Sequence, residues 1–119
     1  MASSIDDLRA LTVGAKKNFR TEKVDIEGAE FEVRQPSVKA RDALMEKCTD
    51  KEGKLKMSEF LSWGIILNTY KPGTDEKVFS DADYKSIIEQ PAGGWVDKLG
   101  NTAARLLNVQ EDEDSPKGE

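Results

Sequence analysis

The chain contains 119 residues, of which 34% are charged and 37% are apolar, and these proportions predict one small, well-solvated domain with a modest core. The formal charge is −5, but residues 110–119 hold five acids against one lysine, so the other 109 residues carry only −1. Phosphate contacts need clustered Lys and Arg, so we expect a protein that does not bind nucleic acid.

The first predicted element is a short helix over residues 3–11. Ser4 is its predicted N-cap, acidic residues occupy its first turn, and one face carries Ile5, Leu8 and Leu11. A helix of this length is marginal alone, so it must dock or stay mobile. We treat residues 1–21 as a short N-terminal helix and linker.

The pattern changes to alternation over residues 22–35. Charged residues alternate there with Val24, Ile26, Phe31 and Val33. With Gly28-Ala29 between the two runs, this pattern predicts a β-hairpin with one apolar and one charged face. An isolated hairpin is barely stable in water, so the apolar face must pack on other elements. Pro36 is expected to end the second strand.

A helix capped by Ser37 is predicted to run to about Thr49, followed by a polar loop over residues 50–54. Four of its side chains are expected to point inward, namely Val38, Leu44, Met45 and Cys48. Because Cys48 lies on the apolar side, we interpret it as a buried, inert thiol rather than a nucleophile. A single cysteine also cannot form an internal disulfide.

Residues 58–70 predict a central helix around which the rest of the chain packs. Its apolar side chains point in nearly every direction, and they are Phe60, Leu61, Trp63, Ile65, Ile66, Leu67 and Tyr70. Ser58 is the predicted N-cap, and Pro72-Gly73 is expected to stop the helix. The stretch is too short to cross a bilayer, which favours a core helix.

Two further helices are predicted near the end of the chain. The first begins with a capping box between Ser80 and Asp83 and ends near Gln90, with Phe79 and Tyr84 as a hydrophobic staple. The second runs from about residue 95 to residue 108, and its apolar stripe contains Trp95, Leu99, Thr102, Ala103 and Leu106. Residues 22–109 would form the globular domain, and residues 110–119 a disordered acidic tail.

The predicted fold class is therefore α+β, mainly helical, with four to five short helices and one N-terminal β-hairpin. Nothing at the start of the chain is typical of a signal peptide, and no apolar run is long enough for a membrane span. These features predict a cytosolic protein.

The sequence offers little for catalysis or metal binding. It has no histidine, which excludes Ser-His-Asp and Cys-His arrangements and the common zinc sites. Asp81 and Asp83 are explained as acids at a helix N-terminus, residues 50–53 have the wrong register for an EF-hand, and Gly93-Gly94 reads as a helix break. We expect a non-enzymatic protein without a cofactor or metal.

Candidate partner-binding residues come from the aromatic and acidic side chains. The tryptophans lie on helical apolar stripes, so core packing is their default role, with interface anchoring as the alternative. The acidic tail could solubilise the chain or dock a partner. The candidates are Trp63, Tyr70, Trp95, Glu111, Asp112, Glu113 and Asp114.

Three stretches carry a resemblance to a known family. They are Glu-Phe-Glu-Val-Arg-Gln-Pro-Ser at 30–37, Trp-Gly-Ile-Ile-Leu-Asn at 63–68 followed by Val-Phe-Ser-Asp-Ala-Asp at 78–83, and Ala-Ala-Arg-Leu-Leu-Asn at 103–108. In this order, over residues 22–108, the chain resembles the small tail assembly chaperones of long-tailed, siphovirus-type bacteriophages.

The resemblance implies a protein that binds the tape-measure protein in the host bacterial cytoplasm. It would keep apolar tape-measure helices from aggregating, assist tail-tube protein assembly, and be absent from the mature virion. The family has no catalytic residues. Self-association stays open, as do two alternatives: a minor structural tail or connector protein of the virion, and a small cytosolic adaptor.

Many genes of this family also make a longer product by ribosomal frameshifting near the end of the short reading frame. Ser115-Pro116-Lys117 would be the slippery run if its codons allow one. A proline codon other than CCA at residue 116 would remove this site.

Overall fold

A computed structural model of the protein describes residues 4–15 and 18–107. Within them the chain forms five α-helices, one 3₁₀ turn and a three-stranded antiparallel sheet, which confirms the predicted α+β class. In chain order these are α1 (Ile5–Leu11), β1 (Thr21–Ile26), β2 (Ala29–Arg34), α2 (Val38–Lys47), α3 (Met57–Asn68), β3 (Thr69–Tyr70), the 3₁₀ turn (Asp81–Asp83), α4 (Tyr84–Ile88) and α5 (Trp95–Leu106). The predicted acidic tail, 110–119, lies outside the described residues.

The hairpin forms as predicted, with Val24 opposite Phe31 and the four apolar side chains on one face. Its turn is Glu27-Gly28 rather than Gly28-Ala29, because both turn residues adopt positive φ, 53° and 85°, which suits the tight two-residue turn of a hairpin. The Gly28 N–H donates to the carboxylate of Asp25 at 2.9 Å. The hairpin is extended by β3, which pairs with β2 and was not predicted.

The central helix α3 is covered on several sides, as its sequence predicts. Its buried residues are Phe60, Ser62, Gly64, Ile65, Ile66 and Asn68. One apolar cluster, around Ile65 and Leu99, lies between the sheet, α3, α4 and α5. A second cluster, around Leu44 and Phe60, joins α2 and α3 to the end of α5. The two clusters make α3 the shared wall of the core.

Both predicted ends of α3 were wrong. The helix begins at Met57 with Lys56 at the N-cap position, so Ser58 lies inside the first turn, where its carbonyl accepts from Ser62 Oγ at 2.8 Å. It ends at Asn68, before Pro72-Gly73, because Thr69 turns extended and pairs with Val33 of β2. A β-branched residue beside an open strand edge gains ladder hydrogen bonds there.

Helix α2 follows its prediction in outline, but it ends at Lys47 rather than about Thr49, and Met45 is only partly buried. Ser37 Oγ accepts from the Ala40 N–H at 3.1 Å, which confirms the N-cap. Leu44 and Cys48 are buried, whereas Val38 is 66% exposed and does not point inward. At about 100° per residue, Val38 lies roughly 240° around the helix from Leu44, away from α3.

The last helices also match their predictions in outline. Ser80 N–H donates to the Asp83 carboxylate at 2.8 Å, although the helix starts with a 3₁₀ turn and ends at Ile88 rather than near Gln90. The two rings predicted as a staple each stack on a tryptophan, Phe79 on Trp95 and Tyr84 on Trp63. In α5 the buried residues include Leu99, Thr102, Ala103 and Leu106, as predicted. Asn108, its predicted end, lies outside the described residues.

Helix α1 is capped as predicted, but it buries no residue. Ser4 Oγ accepts from the Asp7 N–H at 3.1 Å, and the Asp7 carboxylate accepts from the Ser4 N–H at 3.4 Å. No helix in residues 4–15 or 18–107 combines the length and hydropathy that a bilayer crossing requires.

Two glycines test the packing of α3 against its neighbours. A Cβ on Gly100 would lie 3.1 Å from the Cβ of Leu61, whereas one on Gly64 would lie 3.8 Å from the Cβ of Ala103. We expect Gly100→Ala to lower the free energy of unfolding by about 1–2 kcal/mol, because α5 must move away from α3. Gly64→Ala should raise it by up to about 1 kcal/mol, since alanine favours helix and the space is adequate. Urea unfolding of both variants measures these changes. If both substitutions changed the free energy of unfolding equally and in the same direction, the close packing of α5 on α3 at Gly100 would be wrong.

Candidate functional site

A surface groove runs along α2 and α3, and we call it the α2–α3 groove. It consists of two hollows of about 210 and 250 Å³, which adjoin at Ala40 and Leu67. Its apolar lining is formed by Phe19, Ala40, Ala43, Leu44, Trp63, Ile66, Leu67 and Tyr70.

The groove exists because α2 presents small side chains at this position. Ala40, Ala43, Leu44 and Lys47 form a helical stripe toward α3. Lower on α2, Leu44 and Cys48 pack against Phe60 and close the space between the helices. Ala40 and Ala43 are too short to do the same, so Trp63 and Leu67 of α3 stay partly exposed.

Trp63 lies in this groove, half-buried, between a cation and a second ring. The Lys47 Nζ is 3.6 Å from the ring centroid. The Tyr84 ring stacks on Trp63 with centroids 4.4 Å apart and an interplanar angle of 11°. Burial raises the pKa of the Tyr84 phenol, and the Glu59 carboxylate adds to the shift. The indole is thus held rigidly, as an interface anchor needs to be.

Tyr70 lies at the other end of the groove and is held by Arg34. The guanidinium carbon is 3.9 Å from the Tyr70 ring centroid, and the same side chain bonds Asp75 at 3.1 Å and Glu32 at 3.2 Å. Burial alone would lower the pKa of Arg34, but these two carboxylates outweigh it and raise the pKa. Glu32, 8% exposed, also accepts from the Gly73 N–H at 3.1 Å, so the network ties the loop after β3 to the sheet.

Trp95 lies outside the lining of the groove, where it stacks on Phe79 with centroids 5.7 Å apart. The structure therefore brings two candidate residues, Trp63 and Tyr70, onto one surface. The candidate acids Glu111, Asp112, Glu113 and Asp114 lie outside the described residues.

Sequence reasoning missed the residues that shape the groove, Phe19, Ala40, Ala43 and Lys47. The one available signal was the pair of alanines three residues apart on a helix that packs beside an all-round apolar one. Asn68, which is buried, also lines the groove, and its Nδ2 has no hydrogen-bond partner among the residues that the structure describes.

A second apolar hollow, of about 280 Å³, lies between the start of α3, α4 and α5. Its lining includes Met57, Leu61, Ile87, Ile88, Pro91, Ala92 and Val96. None of the candidate residues lines it, so it serves as a matched reference surface for the α2–α3 groove.

The groove is lined by apolar side chains and, at one end, by Lys47 and Lys77. Across residues 4–15 and 18–107 there is no group of three or more His, Cys, Asp or Glu side chains that could hold a metal ion. Cys48, 1% exposed, is buried as predicted, and burial raises the pKa of its thiol, with Glu59 adding to the effect. A protonated, enclosed thiol is a poor nucleophile.

No protein-family model matches the chain, and neither a curated protein nor a solved structure matches it significantly.

Proposed function

We propose that this protein is a phage tail assembly chaperone whose α2–α3 groove binds an apolar helix of the tape-measure protein during tail-tube assembly in the host cytoplasm. The observation that carries the proposal is the groove itself, an apolar surface lined by Trp63 and Tyr70, each with a cation over its ring. The family comes from the resemblance of residues 22–108 to small tail assembly chaperones.

The spacing of the lining residues on α3 suits helix recognition. An amphipathic helix binds a groove through anchors at i, i+3 or i+4, and i+7. On α3, Trp63 and Leu67 are four residues apart, which corresponds to about 6 Å along the helix axis. Anchors one helical turn apart on a partner would meet these two side chains in sequence.

Charge at the groove favours a partner helix with acidic flanks. Lys47 and Lys77 line the same end of the groove, together with one acid, Asp81. Lys47 and Tyr84 cover the two faces of the Trp63 indole, so a partner carboxylate would pair with the Lys47 ammonium group while an apolar side chain contacts the edge of the indole.

A matched pair of arginine substitutions tests the groove. Ala43 lines the α2–α3 groove and Ala92 lines the second hollow, and both are exposed, so neither substitution burdens the core. We expect Ala43→Arg to raise the dissociation constant for purified tape-measure fragments at least about tenfold, because its side chain occupies the groove. Ala92→Arg should bind like the unmodified chain. Isothermal titration measures both, and light scattering reports whether each variant still keeps the fragment from aggregating.

Two results would contradict the proposal. One is a binding result that does not follow the groove: Ala43→Arg binds the fragment as tightly as the unmodified chain, or Ala92→Arg is the only variant that binds it more weakly. The other is recovery of the protein from purified virions by mass spectrometry in stoichiometric amount, which would identify a structural tail or connector protein. Circular dichroism melts of both variants establish that each is folded before binding is compared.

A further inference from the structure

Helix α1 presents an apolar face that nothing in the described chain covers. Ile5 is 74% exposed, Leu8 52% and Leu11 76%. A helix of seven residues has little stability without tertiary contacts. The capping box fixes where this helix begins, and its apolar side chains lie on one side. A helix of this kind gains stability when its apolar face docks on another surface.

The α2–α3 groove matches this face in size and position. Seven helical residues span about 10 Å, which is the length of about two turns of α3. The groove is lined over a comparable stretch, from Trp63 to Tyr70. Phe19, 45% exposed, follows α1 on the chain and lines one end of the groove.

Charge gives the docked helix a direction. The first turn of α1 carries Asp6 and Asp7, and Lys47 and Lys77 line one end of the groove. Opposite charges attract most strongly when the acidic turn lies at that end. The C-terminal end of α1 would then lie toward the end of the groove that Phe19 and Tyr70 line.

We propose that α1 of one copy docks its Ile5, Leu8 and Leu11 face into the α2–α3 groove of a second copy, giving an arm-exchanged dimer. Within one chain α1 stands clear of the body and the groove stays open, so each copy carries one unpartnered arm and one unpartnered groove. Reciprocal exchange about a two-fold axis covers both pairs of surfaces and ends the assembly at two chains. The dimer does not depend on what else the groove binds, although an arm in the groove would compete with any other helix there.

Variants on each surface test the exchange in the full-length chain by sedimentation velocity. Leu8→Asp disrupts the arm and Ala43→Arg blocks the groove. Ala10→Asp is the matched control, because it places the same charge about 160° around α1 from the centre of the apolar face. We expect the unmodified chain and Ala10→Asp to dimerise, and both Leu8→Asp and Ala43→Arg to raise the dimer dissociation constant at least about tenfold.

Mixing the two defective variants provides the decisive measurement. Ala43→Arg retains an intact arm and Leu8→Asp an intact groove, so their equimolar mixture should form heterodimers that neither variant forms alone. A chain that stays monomeric up to about 100 μM, a Leu8→Asp variant that still dimerises, or a mixture that stays monomeric would overturn the proposal. Leu8→Asp, with its groove intact, should bind tape-measure fragments at least as tightly as the unmodified chain, so failure of the dimer and failure of the chaperone function are distinguishable.

Discussion

Replacing Phe60 with alanine is expected to lower the free energy of unfolding by about 3–5 kcal/mol. Phe60 is 1% exposed and packs in the cluster that joins α2 and α3 to the end of α5, with Leu44, Cys48, Ala104 and Leu107. Truncation removes buried apolar area and leaves a cavity that the three helices cannot fully close. A domain of this size has a total stability of about 5–15 kcal/mol, so the loss is a large share.

Urea unfolding followed by circular dichroism measures this effect. Met57→Ala on the same helix is the matched control, because Met57 is 55% exposed and its removal should change stability by no more than about 0.5 kcal/mol. If Phe60→Ala lowered the free energy of unfolding by less than about 1 kcal/mol, the placement of this ring in the core would be wrong. Since Phe60 also fixes α2 against α3, the variant should weaken any helix binding in the groove along with stability.

Arg34→Met is expected to lower the free energy of unfolding by about 2–3 kcal/mol. Its side chain is 24% exposed and pairs at 3.2 Å with the carboxylate of Glu32, which is largely buried. Removing the guanidinium leaves a largely buried carboxylate with the Gly73 N–H as its remaining partner, and an unpaired buried charge is costly. The second partner, Asp75, is 96% exposed, so that pair contributes little.

A double-mutant cycle separates the buried pair from general effects of the substitution. Glu32→Gln combined with Arg34→Met should recover part of the loss, because the neutral amide no longer needs a cation. Arg41→Met is the control, since the Arg41–Asp42 pair is exposed on both sides, 39% and 68%, and should cost no more than about 0.5 kcal/mol. If the single Arg34 variant costs no more than this control, the network does not stabilise the loop after β3.

Local signals in the sequence predicted most elements of the fold. The caps Ser4 and Ser37 act within one turn of their own helices, and both form as predicted. The alternation in residues 22–35 predicted the hairpin and its apolar face, because side-chain direction in a strand depends only on the pleat. The all-round apolar pattern of α3 likewise predicted its central position.

The sequence by itself thus determined the elements whose hydrogen bonds and apolar faces are set by near neighbours. Only the tertiary structure decided where α3 ends, since Thr69 pairs with Val33, a residue far back along the chain. The tertiary structure also decided the groove. Whether Ala40 and Ala43 leave a gap depends on the distance between α2 and α3, and the packing of Leu44 with Phe60 sets that distance. Non-local packing has no counterpart in the spacing of residues along the chain, which is why Trp63 and Tyr70 could be proposed as anchors but not placed on one surface.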